Sequence, residues 1–203
     1  MSDPTQTLKD DLAFLRELTR EDGAGFAREG TIMVLVGVIF GLIGLVYWTI
    51  FRGWAHPPVW FPQWLWAAGL LVFFAVGHAL TRRLPAPTGA AARAMAAAWS
   101  GIGVSLTAAG LGLVFGGLRL HQPNLVLQVF PILLFTLYGA GWGVAYAVKR
   151  KAWFAWIVLG CFLAALGSGA LMGSPDQWLV LALGLFAFVA APGAVIVRQA
   201  RGG

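Results

Sequence analysis

Charged residues are scarce in this 203-residue chain, since aspartate, glutamate, lysine and arginine together make up 11% of it. Hydrophobic residues make up 59%. A chain with so few polar side chains cannot cover a water-soluble globule, which excludes a soluble domain of any size. The formal charge of +6 does not indicate a nucleic-acid partner, because the basic residues lie in short segments between apolar runs and form no single basic surface.

Cysteine is nearly absent, with one residue, Cys161, in an apolar run. A single cysteine excludes an intramolecular disulfide and a metal site built from several thiolates. We interpret Cys161 as a small buried hydrophobic residue.

What the chain does contain is six apolar runs, each long enough to cross a hydrocarbon layer about 30 Å thick. They are Thr31–Ile50, Trp64–Leu80, Ala94–Leu118, Leu125–Val148, Ala152–Met172 and Gln177–Val197. The sequence therefore predicts an all-α, polytopic membrane bundle, with six transmembrane helices arranged as three hairpins over residues 30–203. The lipid bilayer is its expected surroundings. A genuine threefold repeat of one hairpin and a shared membrane pattern both explain the likeness between the hairpins.

Basic residues are divided unequally between the two sides of the predicted membrane. With the N-terminus in the cytoplasm, twelve fall on the cytoplasmic side and only Arg52 and Arg119 on the other. The twelve are Lys9, Arg16, Arg20, Arg28, Arg82, Arg83, Arg93, Lys149, Arg150, Lys151, Arg198 and Arg201. This excess predicts cytoplasmic N- and C-termini. Residues 1–29 lack the pattern of a cleavable signal peptide, and we expect a bacterial inner membrane protein.

Glycine is abundant, at 27 residues, and several glycines are spaced along one face of a helix. One such row in the first span consists of Gly37, Gly41 and Gly44; a second in the third span consists of Gly101, Ser105, Ala108, Gly112 and Gly116. Small residues let helices approach closely in lipid, so we interpret these rows as helix-packing positions. Packing within the bundle and a seam with a partner or a second copy are both compatible with them.

No charged residue falls within the six predicted spans. Proton relays and coupled transport usually place charges inside the bundle. The histidines His56 and His121 lie in outer loops and His78 has no counterpart at its depth, so they do not form a haem pair. We therefore predict no catalytic, cofactor-binding or metal-binding residue, and a protein that is not an enzyme.

Two prolines lie inside predicted spans, Pro131 and Pro192. A proline has no N–H, so each leaves one carbonyl without its helical donor, at Leu127 and Phe188 respectively. The sequence offers no charge or ligand for either carbonyl and predicts only a kink.

The N-terminal tail, residues 1–29, has the pattern of an amphipathic cytoplasmic helix that begins near Asp3 and ends before Gly23 and Gly25. Its candidate docking residues are the apolar Leu8, Leu12 and Leu15 and the acidic Asp10, Glu17 and Glu21. The tail carries seven acidic and four basic residues, so it complements the basic cytoplasmic loops. Docking onto its own bundle and binding a cytoplasmic protein are the two alternatives.

The tail motif Asp11-Leu12-Ala13-Phe14-Leu15-Arg16, followed by a glycine-rich six-span bundle, resembles uncharacterised bacterial membrane proteins with a short cytoplasmic leader. The resemblance implies no activity, substrate or site residue. Two functions fit the pattern. One is a non-enzymatic interaction, sensor or assembly component; the other is a small carrier or binding protein for an uncharged or lipophilic molecule.

The predicted topology is testable with reporter fusions. Reporters placed near Gly89 and at the C-terminus should signal a cytoplasmic location, and reporters near Pro57, Pro123 and Pro175 should signal the exterior, because the basic loops are retained in the cytoplasm. Reversed signals at two or more of these positions would show that the orientation is wrong.

Overall fold

The computed structural model describes residues 23–84, 90–122 and 124–202. All regular structure in these ranges is helical. The helices are α1 (Gly23–Phe51), α2 (Phe61–Arg83), α3 (Ala90–Arg119), α4 (Leu125–Lys149), α5 (Ala152–Ala170), α6 (Asp176–Leu185) and α7 (Ala191–Gly202), with a π-helical segment (Phe186–Ala190) that joins α6 to α7. We call α6, the π segment and α7 together the sixth helix.

The six predicted spans and the three-hairpin bundle are confirmed. Within the described residues, six helices are long and apolar enough to cross a membrane, and they coincide with the predicted runs to within a few residues. The first helix differs most, because it is described as continuous from Gly23. Gly23 and Gly25 therefore lie within a helix and not in the predicted break. Arg28 and Glu29 also belong to this helix, at its end rather than in a loop.

The helices form an incomplete ring. In order around the ring, α2 packs on α1, α1 on the sixth helix, the sixth helix on α5, α5 on α4, and α4 on α3. Packing between α2 and α3 does not close the ring, since these helices make no extensive contact within the described residues; α3 instead makes a small contact with α1. The two helices at its open edge also bury the smallest share of their surface.

Neighbouring helices alternate in direction, so the bundle has two distinct ends. Gly30 near the start of α1 lies against Gly193 in α7, and Tyr47 near the end of α1 bonds to Pro62 at the start of α2. We call the end that carries Arg82, Arg83 and the Lys149–Lys151 segment the basic end. The other is the Asp176 end.

The tightest helix crossing joins α1 to the sixth helix through glycine. A Cβ placed on Gly30 would lie 2.8 Å from the carbonyl oxygen of Gly193, and one on Gly37 would lie 2.6 Å from the backbone nitrogen of Ala190. Backbone therefore meets backbone, an approach that only glycine permits. The row Gly37, Gly41 and Gly44 faces the sixth helix throughout its length. Gly193, which the sequence analysis did not single out, completes the crossing.

Alanine at Gly37 should destabilise the bundle by about 1–3 kcal/mol, because its methyl group would collide with backbone that cannot rotate away. Thermal unfolding in detergent, followed by circular dichroism, measures this. Gly143→Ala is the matched control, since nothing lies within 4 Å of a Cβ there. Equal midpoints for the two variants would contradict the close crossing.

Candidate functional site

The sixth helix is interrupted near its middle by one turn of π-helix, Phe186–Ala190. The N–H of Ala191 bonds to the carbonyl of Phe186, five residues earlier, and Pro192 follows with no N–H to donate. A widened turn next to a proline leaves backbone carbonyls without their helical donors. In a bilayer each such group is costly unless another part of the protein satisfies it.

Trp142 of α4 satisfies the carbonyl that Pro192 leaves free. Its indole Nε1 donates a hydrogen bond of 2.9 Å to the carbonyl oxygen of Phe188, and the side chain is completely buried. The sequence predicted this free carbonyl but no donor for it. The donor, Trp142, lies in the core. We call this contact the Trp142 lock.

Packing of aromatic rings from α3 and α5 holds the Trp142 ring in place. Its centroid lies 5.2 Å from that of Trp99 in α3 and 5.5 Å from that of Phe154 in α5. On the sixth helix, the ring of Phe188 lies against Gly160 of α5 so closely that no Cβ would fit. The lock therefore ties α3, α4 and α5 to the interrupted helix.

A second polar cluster lies at the Asp176 end. The Asp176 carboxylate accepts a hydrogen bond of 3.1 Å from Trp48 Nε1 and forms an ion pair with Arg52. Asp176 begins α6, where the positive end of the helix favours a carboxylate. These bonds join the end of α1 to the start of the sixth helix. The Asp176 carboxylate is thus engaged by Trp48 and Arg52.

Two further hydrogen bonds stabilise the same end. The Tyr47 hydroxyl donates to the Pro62 carbonyl at 2.9 Å, and the Tyr47 ring lies 4.5 Å from that of Trp178. Gln177, which is 2% exposed, donates its side-chain amide to the Gln128 carbonyl of α4. All these groups are satisfied within the chain, so this end is built as a structural clasp between helices.

The second predicted glycine row lies on the surface of the described bundle, whereas the first lies in a helix crossing. Nothing within the described residues lies within 4 Å of a Cβ placed on Gly101, Gly112 or Gly116. Ser105 and Ala108 of the same row are exposed. Packing within the bundle therefore accounts for the row in α1 and not for the row in α3. We call the latter the α3 small face; its members are Gly101, Ser105, Ala108, Gly112 and Gly116.

The candidate docking residues of the tail, Leu8, Leu12, Leu15, Asp10, Glu17 and Glu21, lie outside the described residues. Their role in docking stays a prediction. Arg82, Arg83, Arg93, Arg150, Lys151 and Arg198 are exposed near the basic end.

Metal ligands do not cluster within the described part of the chain: no group of three histidine, cysteine, aspartate or glutamate residues is placed to hold an ion there. No protein family model, curated protein or solved structure matches this chain. The site must therefore be judged on its geometry.

Exchange of Trp142 for phenylalanine should destabilise the bundle by about 1–3 kcal/mol, because the Phe188 carbonyl would remain buried without a donor. Pro192→Ala supplies the decisive comparison. Alanine restores an N–H that is placed to donate to Phe188 in a regular helix, so Trp142→Phe should cost less in the Pro192→Ala background. Thermal unfolding of the four proteins measures the coupling, and strict additivity would rule out the lock.

Proposed function

We propose that this protein is a non-enzymatic assembly component of a membrane complex, and that its α3 small face binds a transmembrane helix of another protein. The contrast between the two glycine rows carries the proposal. The glycines of the row in α1 are in close contact with the sixth helix. A Cβ placed on any glycine of the equally regular row in α3 would have no atom of another described helix within 4 Å.

The two sides of α3 have different chemical characters. Val104, Leu111, Phe115 and Leu118 are large, apolar and exposed, between 54% and 70%, as is usual for side chains in contact with lipid tails. The α3 small face lies along another side of the same helix. Its exposed backbone offers lipid little dispersion contact, while a second helix fits against it closely.

Maintaining glycine on that face costs stability. Each glycine lowers helix propensity by about 1 kcal/mol relative to alanine in aqueous hosts. In α1 the close crossing with the sixth helix offsets this cost. A comparable crossing with another molecule would offset it in α3.

A second copy of the chain is a poor occupant of this face. Copies in one membrane share an orientation, so a symmetric α3–α3 contact would bring the two Arg93 residues to one depth and the two Arg119 residues to another. No acidic residue lies on α3 to balance them. Charge repulsion therefore favours a helix from a different protein.

The N-terminal tail extends the proposal to the cytoplasm. With both termini on the cytoplasmic side of a bacterial inner membrane, the acidic and leucine-bearing tail would engage a soluble domain of the same complex. The excess of basic residues on that side supports this orientation. Docking of the tail on its own basic end is the competing proposal.

The second candidate function is binding of an uncharged or lipophilic molecule. The observation that favours it is the missing contact between α2 and α3, which leaves the ring open towards the lipid. A hydrophobic molecule would enter sideways from the bilayer and contact both edge helices.

Photo-crosslinking in native membranes tests the assembly role. A photoreactive residue at Ser105 should capture a transmembrane segment of a different protein, identified by mass spectrometry. Gly112→Leu combined with Gly116→Leu should lower the yield about tenfold, the factor that corresponds to a loss of about 1.4 kcal/mol in binding. The matched control combines Gly103→Leu with Gly143→Leu, two open glycines off the small face.

The control variant should crosslink like the wild type, and both variants should unfold at similar temperatures. Capture of a second copy would replace the proposed partner with a homo-oligomer. Capture of lipid alone would contradict the assembly role. A bound lipophilic molecule that is lost on exchange of α2 residues would favour the second function.

A further inference from the structure

We infer that the turn between α4 and α5 binds an anionic phospholipid of the adjacent leaflet. Its phosphate would lie on Arg150 and Lys151, and the acyl carbons nearest its headgroup would contact Trp156. This inference is independent of the proposed partner on α3.

The turn presents its two cations in a fixed arrangement. Arg150 ends α4 in the left-handed region, with φ 51° and ψ 25°, and its N–H bonds to the Tyr146 carbonyl at 2.7 Å. Lys151 is extended, and α5 begins directly afterwards at Ala152. Only two residues separate the helices, so the backbone fixes the direction in which both side chains leave the chain. Both are exposed.

Aromatic packing anchors this turn to the core. The rings of Trp153 and Phe154 stack with centroids 4.0 Å apart, and Phe154 in turn stacks on Trp142. Trp156 points the other way and is 72% exposed. An exposed tryptophan within two turns of a helix start lies at headgroup depth, where the ring contacts acyl carbons and the indole N–H reaches polar groups.

No acidic residue lies on α4 or α5 to neutralise the turn. In the described chain the acids are Glu29 in α1 and Asp176, which is paired with Arg52 at the opposite end. Apart from the N-terminal tail, the anion that complements the charge of Arg150 and Lys151 must therefore come from another molecule. The exposed Trp156, in the second turn of α5, favours an anion that carries an acyl chain over a soluble one.

The basic end contains a second pair of adjacent, exposed cations that serves as a comparison. Arg82 and Arg83 form the last turn of α2, where helix carbonyls point outward and disfavour an anion. Lys151 precedes the first turn of α5 and gives it no side-chain cap, so the helix end there favours an anion. The two pairs have equal charge. They differ in that Arg150 and Lys151 lie between the end of α4 and the start of α5, whereas Arg82 and Arg83 adjoin only a helix C-terminus.

Native mass spectrometry of the full chain tests the site. The protein is exchanged into detergent with phosphatidylglycerol or phosphatidylcholine, and bound lipid is counted. Arg150→Gln combined with Lys151→Gln should weaken phosphatidylglycerol binding about 30-fold. Arg82→Gln combined with Arg83→Gln, with the same loss of charge, should change it less than about threefold. Trp156→Ala should weaken binding of the lipid while leaving the unfolding temperature close to that of wild type.

Equal losses in the two paired variants would overturn the inference and indicate a general effect of surface charge. Equal retention of phosphatidylglycerol and phosphatidylcholine would do so as well. Inorganic phosphate is the competitor that separates the sources: complete displacement of the lipid at millimolar concentration would assign the turn to a soluble anion instead.

Discussion

The hydrogen bond from Trp142 to the Phe188 carbonyl is the interaction on which the rest of the bundle depends. The bilayer core has no water to hydrogen-bond backbone groups, so a proline in mid-span leaves a carbonyl that needs a donor from another side chain. The buried indole of Trp142 is that donor, and its hydrogen bond holds α4 against the sixth helix. The rings of Trp99 and Phe154 then pack around the indole and draw α3 and α5 to the same point. One backbone defect thus organises four helices.

Close backbone contact supplies the second constraint. Without a hydrophobic driving force between helices in lipid, association depends on dispersion and hydrogen bonds at short range. Glycines at Gly30, Gly37 and Gly193 let α1 lie directly on the sixth helix. The Asp176 end adds polar bonds from Trp48 and Arg52. The core is therefore held at its middle and at both ends, while α2 and α3 remain at the edge.

The core helices are held to one another, whereas α2 and α3 lie at the edge of the bundle, and this difference indicates where another molecule can bind. The polar groups of the Trp142 lock and of the Asp176 end are hydrogen-bonded within the chain, and of the described buried side-chain nitrogen and oxygen atoms only Trp66 Nε1 and Ser168 Oγ have no partner. The surfaces that we consider for recognition are therefore those of the edge helices and the loops. The α3 small face suits a helix of a partner protein, and the Arg150–Lys151 turn suits a lipid headgroup. Both proposals concern association within and at the surface of the membrane.

The sequence alone determined the number of helices, their hairpin pairing and most of their bounds, because the thickness of the bilayer sets the length of an apolar run. The start of α1 at Gly23 was not predicted. It also identified Pro192 and the carbonyl it frees, since that consequence is local. Tertiary structure decided which glycine row packs inside the bundle and which tryptophan serves as a donor. Gly37 and Gly112 lie in rows with the same spacing, and Trp142 and Trp156 both lie in apolar helices. Their roles differ only through the helix that lies opposite, and helix neighbours are set by packing over the whole bundle rather than by spacing along one segment.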